Sequence, residues 1–356
     1  MNKARLQQVL RNMKAAGLYC TIVSDPHSIF YLTGRMIHPG ERMLALVLYS
    51  DGRTEFFVNR LFPQAPEEGL DIIQFDDTDD CVEILSRALP SGKIGIDKNW
   101  PSRFTIRLME QRPDILPVLG SMPVDDARMI KSKEDADLMR VSSHLNDQAV
   151  GKLIETIREG DSELDLAARY VEIGRELGAK GASFSPLICF GANGAEPHHS
   201  TGATRLSQGD MIILDLGLNV DGSMSDMTRT VVLGKATDEQ REVYEIVKSA
   251  NAAGRAAVAP GVPLKEIDRA ARDVIVKAGY GDKFIHRTGH GIGLEVHEHP
   301  DNSAASRIIA KPGMCFSVEP GIYLPGKFGV RVEDLVVVTE DGVETLNRMD
   351  HDFKII

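Results

Sequence analysis

The chain has 356 residues, 42% hydrophobic and 26% charged, with 32 Gly and 17 Pro, proportions that exclude collagen-like, disordered and low-complexity classes and predict a soluble globular protein of about two domains. Its 41 Lys and Arg stand against 52 Asp and Glu, a net charge of −11, which argues against grip on nucleic acid or an anionic membrane, since either needs a basic face; an acidic cluster remains a candidate cation site. Four dispersed cysteines, Cys20, Cys81, Cys189 and Cys315, form no C-x-x-C pair and read as reduced residues of a cytosolic protein.

Met1 to Gly17 sets Lys and Arg among Leu6, Val9, Leu10 and Met13, a helical spacing without the apolar stretch of a signal peptide. A strand over 19–23 follows, then a hairpin through Asp51-Gly52 joining 44–49 to 54–58, strands near 72–76 and 93–98, and helices between them. This pattern predicts a small mixed α/β domain over residues 1–125. The polar stretch 126–134 predicts a linker, and a long helical pattern continues through Met139, Leu145, Val150, Leu153 and Ile157 into a second domain over 135–356. The longest apolar runs, such as 44–48 and 335–338, fall far short of the ~20 residues that span a bilayer.

The second domain contains an internal echo. Glu163-Leu164-Asp165-Leu166-Ala167-Ala168-Arg169 recurs 103 positions later as Glu266-Ile267-Asp268-Arg269-Ala270-Ala271-Arg272, each copy after a glycine, Gly160 or Gly261. After the first helix come 211–217, a turn at Asp221-Gly222 and 225–232. After the second come 315–321, a turn at Pro325-Gly326-Lys327 and 330–337. Both read as strand, turn, strand with one carboxylate on each arm. Two such halves predict a pseudo-twofold α/β fold with a curved antiparallel sheet, on which four carboxylates converge.

Acids inside apolar strands need a physical reason, because a buried ionised carboxylate costs several kcal/mol unless it is paired or coordinates a metal. Asp215 directly follows Ile-Ile-Leu, and Glu333 precedes Asp334 and Leu-Val-Val-Val. Folded about 221–222, the first hairpin sets Asp215 and Asp226 on facing arms with a bulge adjusting the register; the second does the same for Glu319 and Glu333 about residue 326. His290 lies between glycines in Gly289-His290-Gly291-Ile292-Gly293, a run whose spacing does not fit a dinucleotide fingerprint. Four carboxylates and one imidazole make a mostly oxygen site suited to two divalent ions, Mn²⁺ or Co²⁺ before Zn²⁺ or Cu²⁺.

The segments Leu214-Asp215-Leu216-Gly217, Ser225-Asp226-Met227-Thr228, Gly289-His290-Gly291, Val318-Glu319-Pro320-Gly321 and Arg331-Val332-Glu333-Asp334 together resemble the motifs of the pita-bread metallopeptidases, the family of prolidase, aminopeptidase P, methionine aminopeptidase and creatinase. The resemblance covers the whole chain. It implies that Asp215, Asp226, His290, Glu319 and Glu333 hold two metal ions, with Asp226 and Glu333 bridging, and that Glu319 also transfers a proton. It implies catalytic roles for His198, in Pro197-His198, and for His297, seven residues after His290; the adjacent His199 stays open as an alternative to His198. His286, Tyr323 and Arg331 resemble residues that support the metal ligands or contact substrate, with Arg331 beside Glu333 expected to form a bidentate pair with a peptide carboxylate.

Within that family the N-terminal domain, with Ile29-Phe30-Tyr31-Leu32-Thr33-Gly34, argues against methionine aminopeptidase, and the intact ligand set argues against creatinase or a non-catalytic peptide-binding member. The activity implied is hydrolysis of Xaa-Pro bonds in short proline-containing peptides, dipeptides first. Aminopeptidase P, acting on longer Xaa-Pro-led peptides, is the alternative. The resembling enzymes are commonly homodimers, so a cytoplasmic homodimer is expected.

Overall fold

The computed structural model describes residues 1–356, which divide into two units, Met1–Arg128 and Met129–Ile356. In the first, Leu6, Val9 and Met13 recur at helical spacing and are the buried face of α1 (Lys3–Ala15), which Asn2 caps by accepting from the Arg5 N–H. There follow β1 (Cys20–Val23), α2 (Pro26–Thr33), β2 (Leu44–Tyr49), β3 (Thr54–Asn59), β4 (Asp71–Phe75), α3 (Cys81–Ala88), β5 (Gly92–Ile96), α4 (Ser102–Gln111), β6 (Ile115–Leu119) and α5 (Met122–Met129). The strands form one sheet in the order β4-β3-β2-β1-β5-β6. It is antiparallel from β1 to β3, with Leu48 opposite Thr54 beside the Asp51-Gly52 turn, and parallel at both flanks. All six residues of β2 are buried, as expected for a central strand covered on both faces. Ile22, Val47, Phe57, Trp100 and Phe104 share its core.

The second unit opens with α6 (Lys133–Thr156) and α7 (Glu163–Glu176), both started by capping boxes, Ser132 with Asp135 and Ser162 with Asp165. The polar segment 126–134 is mostly ordered helix: it holds the end of α5 and the start of α6, three residues apart. Next come β7 (Gly181–Ala182), β8 (Leu187–Phe190), β9 (Met211–Leu216), β10 (Leu218–Val220), β11 (Ser223–Met224), β12 (Met227–Val232), α8 (Asp238–Ala256) and α9 (Leu264–Lys277). The chain then continues through β13 (Gly289–Gly291), β14 (Glu298–Asn302), β15 (Cys315–Val318), β16 (Gly321–Leu324), β17 (Phe328–Arg331), β18 (Asp334–Val338) and β19 (Val343–Thr345). The echo helices are α7 and α9. Helices α6 and α7 bury Leu153 and Tyr170 against Ile212 and Leu214 of β9; α8 buries Val243 and Val247 against Ile322 and Val330; α9 buries Ile267 against Phe316 and Val318. This is the mixed α/β, two-half architecture that the echo predicts.

The ladders are interrupted where carboxylates sit. Asp215 stands opposite Thr228, and the β9–β12 ladder ends at Leu216 opposite Met227, so Asp226 lies one residue beyond it. Past that point the chain makes a second, short hairpin, β10–β11, whose loop residues Asp221 (φ 51°) and Gly222 (φ 88°) are both left-handed, as a two-residue hairpin loop requires. In the second half each arm is broken in two. β15 pairs with β18 and β16 with β17, and the breaks fall at Glu319-Pro320, where proline supplies no N–H to a ladder, and at Val332-Glu333. The halves are joined by the Glu333 N–H donating to the Thr228 carbonyl at 3.1 Å and the Arg331 N–H donating to Thr230 Oγ1 at 3.2 Å.

Candidate metal centre

These interruptions open a cavity of about 460 Å³ lined by Asp215, Asp226, His290, Glu319 and Glu333 together with His198, His286, His297 and Arg331. Ligand atoms of Asp226, His290 and Glu333 all lie within 4.8 Å of one another, and His290 Nε2 is 3.3 Å from Glu319 Oε1 and 3.7 Å from Asp226 Oδ2. The imidazole is oriented from behind. Nδ1 lies 3.1 Å from the Gly291 carbonyl, which can only accept, so Nδ1 carries the proton and Nε2 presents a lone pair to the carboxylates. Burial holds His290 down at about 4. It is therefore neutral near pH 7, as a ligand must be.

The carboxylates show the opposite strain. Burial first, then Glu333, Asp215 and Glu319, push Asp226 well above the usual carboxylate range; burial, Glu319 and Asp215 do the same to Glu333, and burial raises Glu319. Some of their oxygens are satisfied: Thr228 Oγ1 donates to Glu333 Oε2 at 2.7 Å, and Ser317 Oγ, accepting from the His290 N–H, donates to Glu319 Oε1 at 3.0 Å. Others are not. Asp215 Oδ1, Asp226 Oδ1 and Glu333 Oε1 are buried without any hydrogen-bond partner. Buried oxygens of like-charged groups in this number are what divalent cations satisfy: four carboxylates balance two such ions, and a donor set of oxygen with one imidazole suits hard to borderline metals. The residues present fit a metal centre.

Around it runs a directed hydrogen-bond chain. His286 Nδ1 is 2.7 Å from the Arg287 carbonyl, so Nδ1 donates and Nε2 accepts from the Tyr323 hydroxyl at 2.8 Å; that hydroxyl accepts from Arg331 Nη1 at 2.9 Å. Arg331 also donates through Nε to Thr228 Oγ1 at 3.1 Å and through Nη2 to Asp215 Oδ2 at 2.5 Å. The guanidinium expected to face a peptide carboxylate is thus turned onto a metal-site carboxylate and its neighbours. Tyr323 sits behind the wall, and burial raises it to about 12 despite Arg331. Behind Glu333, the next side chain points away from the cavity: Asp334 accepts from Arg229 Nη2 at 2.8 Å and His351 Nε2 at 2.7 Å. Burial pushes Asp334 up, but Arg229 and His351 more than reverse this and hold it below the usual range. Arg229 further donates to the carbonyls of Glu333 and Met349, while the Val232 N–H donates to the Lys354 carbonyl at 3.1 Å and the Ile356 N–H donates to the Val232 carbonyl at 2.9 Å.

His297 stacks edge-on against His290, ring centroids 4.1 Å apart, and burial with that neighbour lowers it to about 4. Of the adjacent histidines, His198 lines the cavity while His199 turns to Glu163. Thr228 and Ser317 are absent from the residues singled out by sequence. Each lies two positions from a carboxylate, Asp226 or Glu319, a spacing available in the sequence. Phe184, Leu187 and Val296 give the cavity an apolar wall, and Arg287 adds an exposed cation.

Comparison with known proteins agrees with this geometry. The profile of Metallopeptidase family M24 matches residues 137–340, and that of the Creatinase/Prolidase N-terminal domain matches residues 5–130. The chain is 32% identical to the Xaa-Pro dipeptidase of Pyrococcus furiosus, over 98% of this chain and 99% of that protein, and 33% identical to the Xaa-Pro dipeptidase of Lactobacillus helveticus, over 100% and 99%. The solved structure of a prolidase from Thermococcus sibiricus matches with a TM-score of 0.93 at 33% identity, covering 100% of this chain and 99% of that one. No helix is long and apolar enough to cross a membrane. The fold is that of the pita-bread enzymes, and the chain is a peptidase that belongs to metallopeptidase family M24.

Proposed function

We propose that this peptidase hydrolyses Xaa-Pro bonds, dipeptides first, with two divalent cations, Mn²⁺ or Co²⁺, held by Asp215, Asp226, His290, Glu319 and Glu333. What carries the reading is the full-length similarity to Xaa-Pro dipeptidases of a chain whose cavity collects these five residues. Bound there, the cations would supply an acidified water and a polarised peptide carbonyl. Glu319, raised by burial and steadied by Ser317, takes a proton and passes it to the leaving nitrogen. His297, neutral and on the cavity wall, donates to the carbonyl oxygen as charge gathers on it. His198 orients the peptide from the loop after β8. A proline nitrogen carries no N–H, and Phe184, Leu187 and Val296 offer its ring apolar contact instead.

Residues 1–125 serve in this reading as a creatinase-like domain, 126–134 as the connection and 135–356 as the catalytic domain of a cytoplasmic homodimer; sedimentation as a single chain of 39.1 kDa would overturn the dimer. Aminopeptidase P is the second reading, favoured by Arg331, whose engagement with Asp215 withdraws it from a substrate's free C-terminus. The deciding experiment compares N-terminal residue release from a Xaa-Pro dipeptide, its C-terminal amide, a Xaa-Pro-led pentapeptide and a Met-Ala-led peptide. Fastest release from the free dipeptide is expected. Equal or faster cleavage of the pentapeptide moves the assignment to aminopeptidase P, and cleavage of only the Met-led peptide overturns the proline reading.

A further inference from the structure

We propose that Glu163, at the first turn of α7, is a positioning residue for peptide hydrolysis, fixing the loop between β8 and β9 through His199 so that His198 stands in the cavity. The inference rests on the role assigned above to His198. Glu163 is completely buried, and no lysine or arginine neutralises it. Its carboxylate instead accepts four hydrogen bonds, two on each oxygen: the Phe190 N–H at 3.0 Å and Asn193 Nδ2 at 2.8 Å on Oε1, the Gly202 N–H at 2.8 Å and His199 Nε2 at 3.0 Å on Oε2. A carboxylate only accepts, so His199 Nε2 is the donor. All four donors come from residues 190–202. One buried group therefore gathers both ends and the middle of the segment that carries Pro197 and His198 to the cavity wall.

The internal echo supplies the contrast. Glu266 occupies the corresponding place in α9, yet it is only partly buried and makes an ordinary ion pair with Arg269 three residues along the helix. The helix sequence is shared, but burial of the acid is not. Stabilising the helix N-terminus electrostatically needs no such burial, since an exposed acid does as much. The buried acid in α7 serves the loop, and the loop serves His198, because His199 and His198 are adjacent and one is tied down while the other faces the cavity.

The test uses Glu163→Gln, His199→Leu and His199→Gln, each alone and combined with His198→Ala, in the full-length metal-loaded enzyme. Steady-state kinetics are measured on whichever peptide the wild type cleaves, with melting temperature and circular dichroism recorded alongside. Glu163→Gln and His199→Leu are expected to lower kcat/KM roughly 10- to 100-fold. His199→Gln, whose amide N–H reaches about as far as imidazole Nε2, is expected to keep activity within about threefold of wild type. In the His198→Ala background the same changes should cost less than about twofold, because the residue they act through is gone. Full additivity with His198→Ala, an activity loss that only follows the unfolded fraction, or undiminished activity of His198→Ala alone would each overturn the inference. If Glu163→Gln fails to fold, the two His199 variants carry the same comparison. A wild type that cleaves other dipeptides but not Xaa-Pro refutes the proline reading and leaves this double-mutant comparison measurable.

Discussion

Arg331 Nη2 donates to Asp215 Oδ2 at 2.5 Å, while Nε and Nη1 of the same guanidinium hold Thr228 and Tyr323. Three acceptors in fixed directions match a planar fork; a lysine ammonium, a point charge on a flexible stem, cannot hold all three. Arg331→Lys is expected to lower kcat and metal affinity roughly 10- to 100-fold. The rate ratio between a free dipeptide and its C-terminal amide should stay unchanged. A selective rise in KM for the free dipeptide would instead make Arg331 a carboxylate clamp.

Asp226 is crowded by three other carboxylates in the metal-free protein. Its pKa in the fold is raised by burial and by Glu333, Asp215 and Glu319, so its contribution to stability is fully present below its unfolded value near 4 and is lost as pH rises toward the raised one. An asparagine never ionises. Metal-free Asp226→Asn should therefore exceed metal-free wild type in stability, with the gap widening from about pH 4 upward. With Mn²⁺ present the order reverses and the variant is inactive. Denaturant melts at pH 5 and pH 8 check the sign.

Thr228→Val keeps the shape of the β12 side chain and deletes one hydroxyl. That hydroxyl donates to Glu333 Oε2 and accepts from Arg331 Nε. A loss in metal affinity of about tenfold is expected from removing such a support of a ligand, with near-wild-type circular dichroism. Isothermal titration with Mn²⁺ reads it. An unchanged affinity would show that Glu333 is oriented by its backbone alone.

Chelation should abolish activity and lower the melting temperature together, because a ligand that binds only the folded state stabilises it, by about 2.7 kcal/mol at a hundredfold excess over Kd. Restoring Mn²⁺ or Co²⁺ should recover both, at two ions per chain by elemental analysis. Full activity after exhaustive chelation would refute metal dependence.

Much of the fold was legible because its signals are local. The Lys3–Ala15 helix shows in the spacing of Leu6, Val9 and Met13, and the first hairpin shows in Asp51-Gly52. The carboxylates were legible for the reason that acids rarely interrupt runs such as Ile212-Ile213-Leu214 without a partner. Where sequence reading fell short, the deciding information was long-range. It placed Asp215 and Asp226 on facing arms with the register left to a bulge, and the register itself puts Thr228 opposite Asp215 and Asp226 beyond the ladder; it treated the second hairpin as two continuous arms, whereas Pro320 and Val332-Glu333 break them. Arg331, expected by resemblance to support the ligands or meet substrate, has Asp215, Thr228 and Tyr323 as its neighbours in space, contacts that its place two residues before Glu333 does not announce. Glu163 looked like any acid in a first helical turn, since nothing local announces that residues 190–202 will fold over it.

The two residues after Val332 face opposite ways, Glu333 into the cavity and Asp334 into Arg229 and His351. Arg229 grips the Glu333 carbonyl, Asp334 and the Met349 carbonyl at once, and Ile356 runs beside Val232. The segment 349–356 is thus a guy rope tied to the rear of a cavity carboxylate, Glu333. Slack in it reaches Glu333 before anything inside the cavity has changed, so opening of residues 349–356, followed by hydrogen exchange, should run ahead of cation loss on warming.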